Sequence, residues 1–112
     1  MAGFRDLIVW QKSLILVELV YELCRTLPDD EKFGLCSQMK RSAISIPSNI
    51  AEGYRRNNRK EYKQFCGIAL GSSAELETQL ILTQRLFKKS TKEAIDLCLE
   101  IQKMLATIIS KL

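Results

Sequence analysis

The sequence predicts an all-α fold, an antiparallel up-down-up-down four-helix bundle, and three observations carry that prediction. The 112 residues include five glycines and two prolines, too few for the many turns of a sandwich or barrel of short strands. Apolar residues recur at spacings of three and four and nowhere hold the period of two that a half-buried strand needs. Breaking residues at Pro28-Asp29-Asp30, at Gly53 to Asn58 and at Lys88-Lys89-Ser90 then cut the chain into four segments. With 46% hydrophobic residues, residues 1–112 form a single domain, large enough to bury roughly two-thirds of its unfolded surface.

The first segment, about Asp6 to Leu27, carries two apolar rows. One is Leu7, Trp10, Leu14, Val17, Tyr21 and Cys24; beside it run Val9, Leu16, Val20, Leu23 and Leu27. Gln11, Glu18, Glu22 and Arg25 collapse onto one narrow polar strip, so the apolar arc exceeds half the circumference. Either this helix is unusually buried or part of it faces another subunit. The second segment, about Asp30 to Gly53, has the core row Met39, Ala43, Ile46 and Ile50. Pro47 lies inside it and clashes with the carbonyl of Ala43, which predicts a kink or a break into two helices. Gln38, Ser42, Ser45, Asn49 and Glu52 form a polar row on another face.

The third segment, about Asn58 to Phe87, starts with Asn58 and Glu61 at capping-box spacing. Its core row is Tyr62, Phe65, Ala69, Leu76, Leu80 and Phe87. Gly67, Gly71, Ala74 and Thr78 make a row of small residues, which predicts close approach of another backbone there. Ser72, Glu75 and Gln79 make a polar row. The fourth segment opens with the capping box Ser90-Thr91-Lys92-Glu93. Ala94, Leu97, Ile101, Met104 and Ile108 face inward, with Glu93, Asp96, Glu100, Lys103, Thr107 and Ser110 toward water.

Histidine is absent, which removes the commonest general base and metal ligand and every Ser-His or Cys-His catalytic pair. Cys24, Cys36, Cys66 and Cys98 include no C-x-x-C pair, so neither a zinc site nor a thioredoxin-type motif is expected. They read as reduced, buried thiols of a cytoplasmic protein, and the N-terminal residues lack the pattern of a secretory signal. No apolar run approaches the ~20 residues that span a bilayer. No catalytic residues, metal or cofactor are expected, and the chain reads as a non-enzyme.

The formal net charge of +4 is unevenly distributed. Between Gln38 and Lys63 lie seven cations and two anions; the rest of the chain holds ten cations and eleven anions. Tyr54-Arg55-Arg56-Asn57-Asn58-Arg59-Lys60 concentrates the surplus at one interhelical turn. Basic side chains neutralise phosphates and release counterions, and an aromatic ring can stack on an unpaired base. Tyr54, Arg55, Arg56, Arg59, Lys60, Lys63 and Lys40 are therefore the candidate nucleic-acid-binding residues. The plainer reading is a solvated basic surface. The two polar rows pose a similar choice: Arg41, Ser45, Asn49, Glu52, Ser72 and Glu75 form a buried network with Arg41 as its cation, or both rows face solvent.

Phe4-Arg5-Asp6-Leu7 with Val9-Trp10-Gln11-Lys12 resembles the opening of the bacterial four-helix-bundle family named for 23S ribosomal RNA intervening sequences. The similarity continues through Gly34-Leu35, Gln38-Met39-Lys40-Arg41-Ser42-Ala43 and, most specifically, Ser45-Ile46-Pro47-Ser48-Asn49-Ile50-Ala51-Glu52-Gly53. It extends to Phe65, Ala69, Gly71-Ser72 and Glu75-Leu76-Glu77-Thr78-Gln79-Leu80, whereas the fourth segment matches only in pattern. Lys40 stands where members often carry Arg. The resemblance implies a bundle assembled into a homopentameric ring, and kinship with accessory proteins of diversity-generating retroelements, which are thought to bind nucleic acid and a reverse transcriptase. It implies no defined activity for this branch. The expectation is thus a homo-oligomeric bundle binding RNA or other nucleic acid at its basic turn, with a scaffold for an acidic partner protein or a reverse transcriptase as the alternative.

Overall fold

The computed structural model describes residues 3–112, and among them every regular element is helical. A 3-10 turn, Phe4–Asp6, leads into α1, Ile8–Arg25. The predicted start at Asp6 is therefore displaced: Leu7 has extended backbone (φ −73°, ψ 123°) and separates turn from helix. Pro28, also extended, precedes a second 3-10 turn, Asp29–Glu31. This delays α2, which runs Leu35–Arg55 rather than from Asp30. Glu31 supports the late start, because its Oε1 accepts the orphan N–H of Leu35 at 3.3 Å.

α2 passes through Pro47 without a break, so of the two outcomes expected there, a kink or a break, the division into two helices does not occur. Pro47 is buried, and packing against the neighbouring helices offsets the missing hydrogen bond. α3, Arg59–Phe87, is capped by Asn58, whose Oδ1 accepts the N–H of Glu61 at 3.0 Å. It ends on Lys88 in the left-handed region (φ 56°), whose N–H bonds the Gln84 carbonyl at 3.0 Å. α4 is Lys92–Ser110. The Ser90–Glu93 capping box is not formed, because the helix begins one residue late: Thr91 is its cap, and the Thr91 hydroxyl donates instead to Gln84 Oε1 at 3.3 Å.

Each helix packs on its neighbours in sequence, α1 also packs on α4, and the backbones of the diagonal pairs stay more than 8 Å apart between Cα atoms. Residues of α2 meet those of α3 in opposing order, Ser45 with Ser72, Ser42 with Glu75 and Met39 with Thr83. The long axis of 43 Å matches the 29 residues of α3 at about 1.5 Å each.

The core is filled by Val9, Leu16 and Val20 from α1, and by Met39, Ala43, Ile46 and Ile50 from α2. α3 adds Cys66, Ala69, Leu76 and Leu80, and α4 adds Ala94, Cys98, Ile101 and Leu105. The α2 row is the predicted one. In α1 the second row supplies most of the buried positions, with Leu23 half-buried. Of the first row only Cys24 is buried, with Trp10, Val17 and Tyr21 half-buried; Ile8, Leu14 and Ile15 are exposed. In α4, Leu97, Met104 and Ile108 flank the core rather than fill it. All four cysteines are free and buried, consistent with their use as small hydrophobes.

The small-residue face of α3 is open within the protomer. A Cβ at Gly67 or Gly71 would meet nothing within 4 Å, so among the described residues no backbone of another element approaches there. The close approach is at Gly53 instead.

Candidate nucleic-acid interface

The basic residues converge where α2 hands over to α3. Three residues, Arg56, Asn57 and Asn58, make the connection, and Asn57 takes a left-handed conformation (φ 55°) that Asn tolerates better than most residues. The reversal sets Arg55 on the last turn of α2, and Arg59, Lys60 and Lys63 on the first turns of α3.

These cations are in different states. Arg56 is held inside its own protomer: its Nη2 donates to Glu52 at 2.9 Å, its Nη1 lies 3.7 Å from Glu61, and its guanidinium sits 5.1 Å from the centre of the Phe65 ring. The hydrogen bond that it donates to Glu52 raises its affinity for the proton still further. Arg59 reaches α4, where Nη2 donates to the Lys111 carbonyl at 2.7 Å. A cation at a helix C-terminus meets the negative end of that helix's dipole. Arg55 lies over the Phe4 ring, 5.4 Å from its centre. Lys60 and Lys63 are exposed and, like Arg55, make no ion pair with a carboxylate among the described residues. Tyr54 packs edge-on against Tyr62, with centroids 5.6 Å apart and planes at 89°.

Lys40 is not brought to this end. It precedes Arg55 by fifteen residues, about 22 Å along α2, and its ammonium lies 4.6 Å from the centre of the Tyr21 ring.

The polar rows of α2 and α3 meet along one seam. The Ser45 and Ser72 hydroxyls are 2.8 Å apart, and Asn49 Nδ2 donates to the Ser45 hydroxyl at 2.9 Å and its carbonyl at 2.8 Å. The Ser42 hydroxyl donates to Glu75 Oε1 at 3.0 Å. Two residues assigned to the network stand outside it within the protomer. Arg41 is exposed and has no hydrogen bond or ion pair among the described residues. Glu52 is exposed too and serves Arg56. Gln79, at 6% exposure, extends the seam, and its Oε1 has no partner among the described residues.

Sequence reasoning missed the Phe4–Arg55 contact. The two residues lie 51 positions apart, and no local periodicity links a 3-10 turn to the end of another helix. Among the described residues no group of three or more His, Cys, Asp or Glu could hold a metal ion, and no helix is long and apolar enough to cross a membrane. The buried thiols are poor nucleophiles: burial pushes Cys66 and Cys98 up to about 11, and it raises Cys24 as well.

Fold and charge together define a small all-α bundle with one basic end. The chain belongs to the 23S rRNA-intervening sequence protein family, whose model matches residues 5–109. It is similar to a crystal structure from Bacteroides thetaiotaomicron VPI-5482, a protein of unknown function from the S23 ribosomal protein family. The two share 28% identity with a TM-score of 0.81, over 91% of this chain and 98% of that one. No curated protein matches the chain.

Proposed function

We propose that the protein is a non-enzymatic, up-down-up-down helical bundle that assembles into a homo-oligomeric ring, a pentamer, and binds RNA or other nucleic acid at its basic end. The observation that carries this reading is the state of Arg55, Lys60 and Lys63: three exposed cations at one turn without carboxylate partners among the described residues. Their charge is available to phosphates, and repetition around a ring adds individually weak contacts through multivalency. The exposed Ile8, Leu14 and Ile15 of α1 supply apolar surface for subunit contacts.

The test is RNA affinity measured against salt concentration. A phosphate binder loses affinity steeply, and replacing Lys60 and Lys63 by Gln makes the log–log slope shallower. No binding at low salt would remove the reading and turn attention to an acidic partner protein or a reverse transcriptase. Light scattering at micromolar concentration tests assembly, which a clean 12.8 kDa species would overturn.

A further inference from the structure

The 3-10 turn Phe4–Asp6 and the α2–α3 connection enclose a cleft of about 750 Å³, lined chiefly by Phe4, Arg5, Tyr54, Arg55 and Asn57. That volume falls within the about 300–1,000 Å³ typical of small-molecule sites. Its residues come from two stretches of chain some fifty positions apart, and only the fold joins them. The chemistry on its walls is specific. The lining holds two arginines, Arg5 and Arg55, against a single carboxyl residue, Asp6, whose carboxylate accepts the Gly3 N–H at 3.3 Å. Arg55 is held in place by the Phe4 ring, and Phe4 is itself fixed by an edge contact with Trp10, 5.3 Å between centroids. The Arg5 carbonyl accepts Gln11 Nε2 at 2.8 Å, which anchors the turn while the Arg5 side chain stays exposed. Tyr54 meets Tyr62 edge to face, a contact that engages at most one face of its ring.

We infer that this cleft seats one unpaired nucleotide of a single-stranded RNA, with its phosphate between Arg5 and Arg55 and its base against the aromatic wall that includes Tyr54. The inference rests on the RNA-binding reading above and adds a site to it. Guanidiniums match phosphate oxygens bidentately, and an aromatic ring stacks on any exposed base. A base inside a duplex is already stacked and cannot enter, so the cleft distinguishes single from double strands whereas Lys60 and Lys63 do not.

The experiment compares the full chain with R5Q, R55Q and K60Q by fluorescence anisotropy, using a labelled twelve-residue oligouridylate and an RNA duplex of the same length. R5Q and R55Q are expected to weaken single-strand binding at least fivefold and to erase the preference over duplex, while K60Q weakens both forms alike. A 4-thiouridine in the oligonucleotide is expected to crosslink to the peptides carrying Phe4 or Tyr54. A strand preference unchanged in R5Q, or crosslinks confined to other peptides, overturns the site yet leaves salt-dependent RNA binding standing. Absence of binding to either RNA removes both. Displacement of the oligonucleotide by micromolar uridine 5′-monophosphate also overturns the proposal and assigns the cleft to a free nucleotide.

Discussion

A Cβ placed on Gly53 would lie 2.5 Å from the Cβ of Phe65, closer than real Cβ atoms come. The glycine lets α2 and α3 touch nearly backbone to backbone beside the basic turn, and the Tyr62 ring lies 3.3 Å from the same point. The obstructing atom is the first carbon of a side chain, so no rotamer change relieves the clash. Gly53→Ala is expected to destabilise the fold by about 1–3 kcal/mol, the range for overpacking a closed contact, despite the gain in helix propensity. A urea midpoint equal to or above wild type would refute this account of Gly53.

Gly67 and Gly71 provide the opposite case on α3. Both are exposed and nothing lies within 4 Å of a Cβ there, so Ala at each is expected to stabilise the isolated chain by about 0.5–1 kcal/mol. If a second copy packs on this face, the same double substitution raises the concentration needed for assembly. Chemical denaturation and light scattering on one variant therefore read the protomer and the assembly separately.

Ser45 and Ser72 couple α2 to α3 through a half-buried pair of hydroxyls. Ser45→Ala or Ser72→Ala alone is expected to cost about 1 kcal/mol, because each leaves the other hydroxyl short of a partner. The double variant should cost less than the two single losses combined, a coupling of about 0.5–1 kcal/mol in a double-mutant cycle. Strict additivity would mean the two hydroxyls act independently.

Much of this was legible in the amino-acid order. Met39, Ala43, Ile46 and Ile50 are buried where their spacing places them, and Asn58 caps α3, because both signals are local. The choice between the two apolar rows of α1 was not legible. Both have helical spacing, and only the positions of α2 and α4 decide that Val9, Leu16 and Val20 are the buried ones. The same holds for glycine. Gly53 resembles a helix stop and Gly67 a packing residue, yet within the protomer the close contact, with Phe65, is at Gly53. At the basic end, sequence locates the charges but not their partners: Arg56 and Arg59 are engaged within the protomer, Arg55 rests on Phe4, and Lys60 and Lys63 are exposed without a carboxylate partner among the described residues.

That partition yields a ranking among the cations. Lys60→Gln and Lys63→Gln are each expected to lower the salt-dependence slope of single-strand RNA binding by about 0.7. Arg56→Gln should change it less, since Glu52 and Glu61 already balance its charge. A titration series in which Arg56→Gln has the largest effect would show that RNA displaces those carboxylates.

Stability should fall on the alkaline side. Burial pushes Cys66 and Cys98 up to about 11 and Tyr62 to about 12, above ordinary thiol and phenol values near 8.5 and 10. The folded chain therefore keeps protons that the unfolded chain releases, and the unfolding free energy decreases with pH wherever that difference exists. The stabilisation is complete below about pH 8.5 and is lost as pH rises through 11 to 12. Urea midpoints at pH 8 and 10.5 should differ in that direction, with a smaller difference in Cys98→Ala; a midpoint independent of pH would contradict the burial of these thiols.

Phe4 lies beneath Arg55, and Arg59 is bonded to the Lys111 carbonyl, so the first and last turns of the chain meet at the same end of the rod. A bulky group attached at the Phe4–Asp6 turn or after α4 at Lys111 stands beside the basic turn and screens it. The opposite end, at the Lys88–Ser90 turn, lies one rod length away, and a surface anchor or fluorophore installed there leaves the Arg55–Lys63 edge clear.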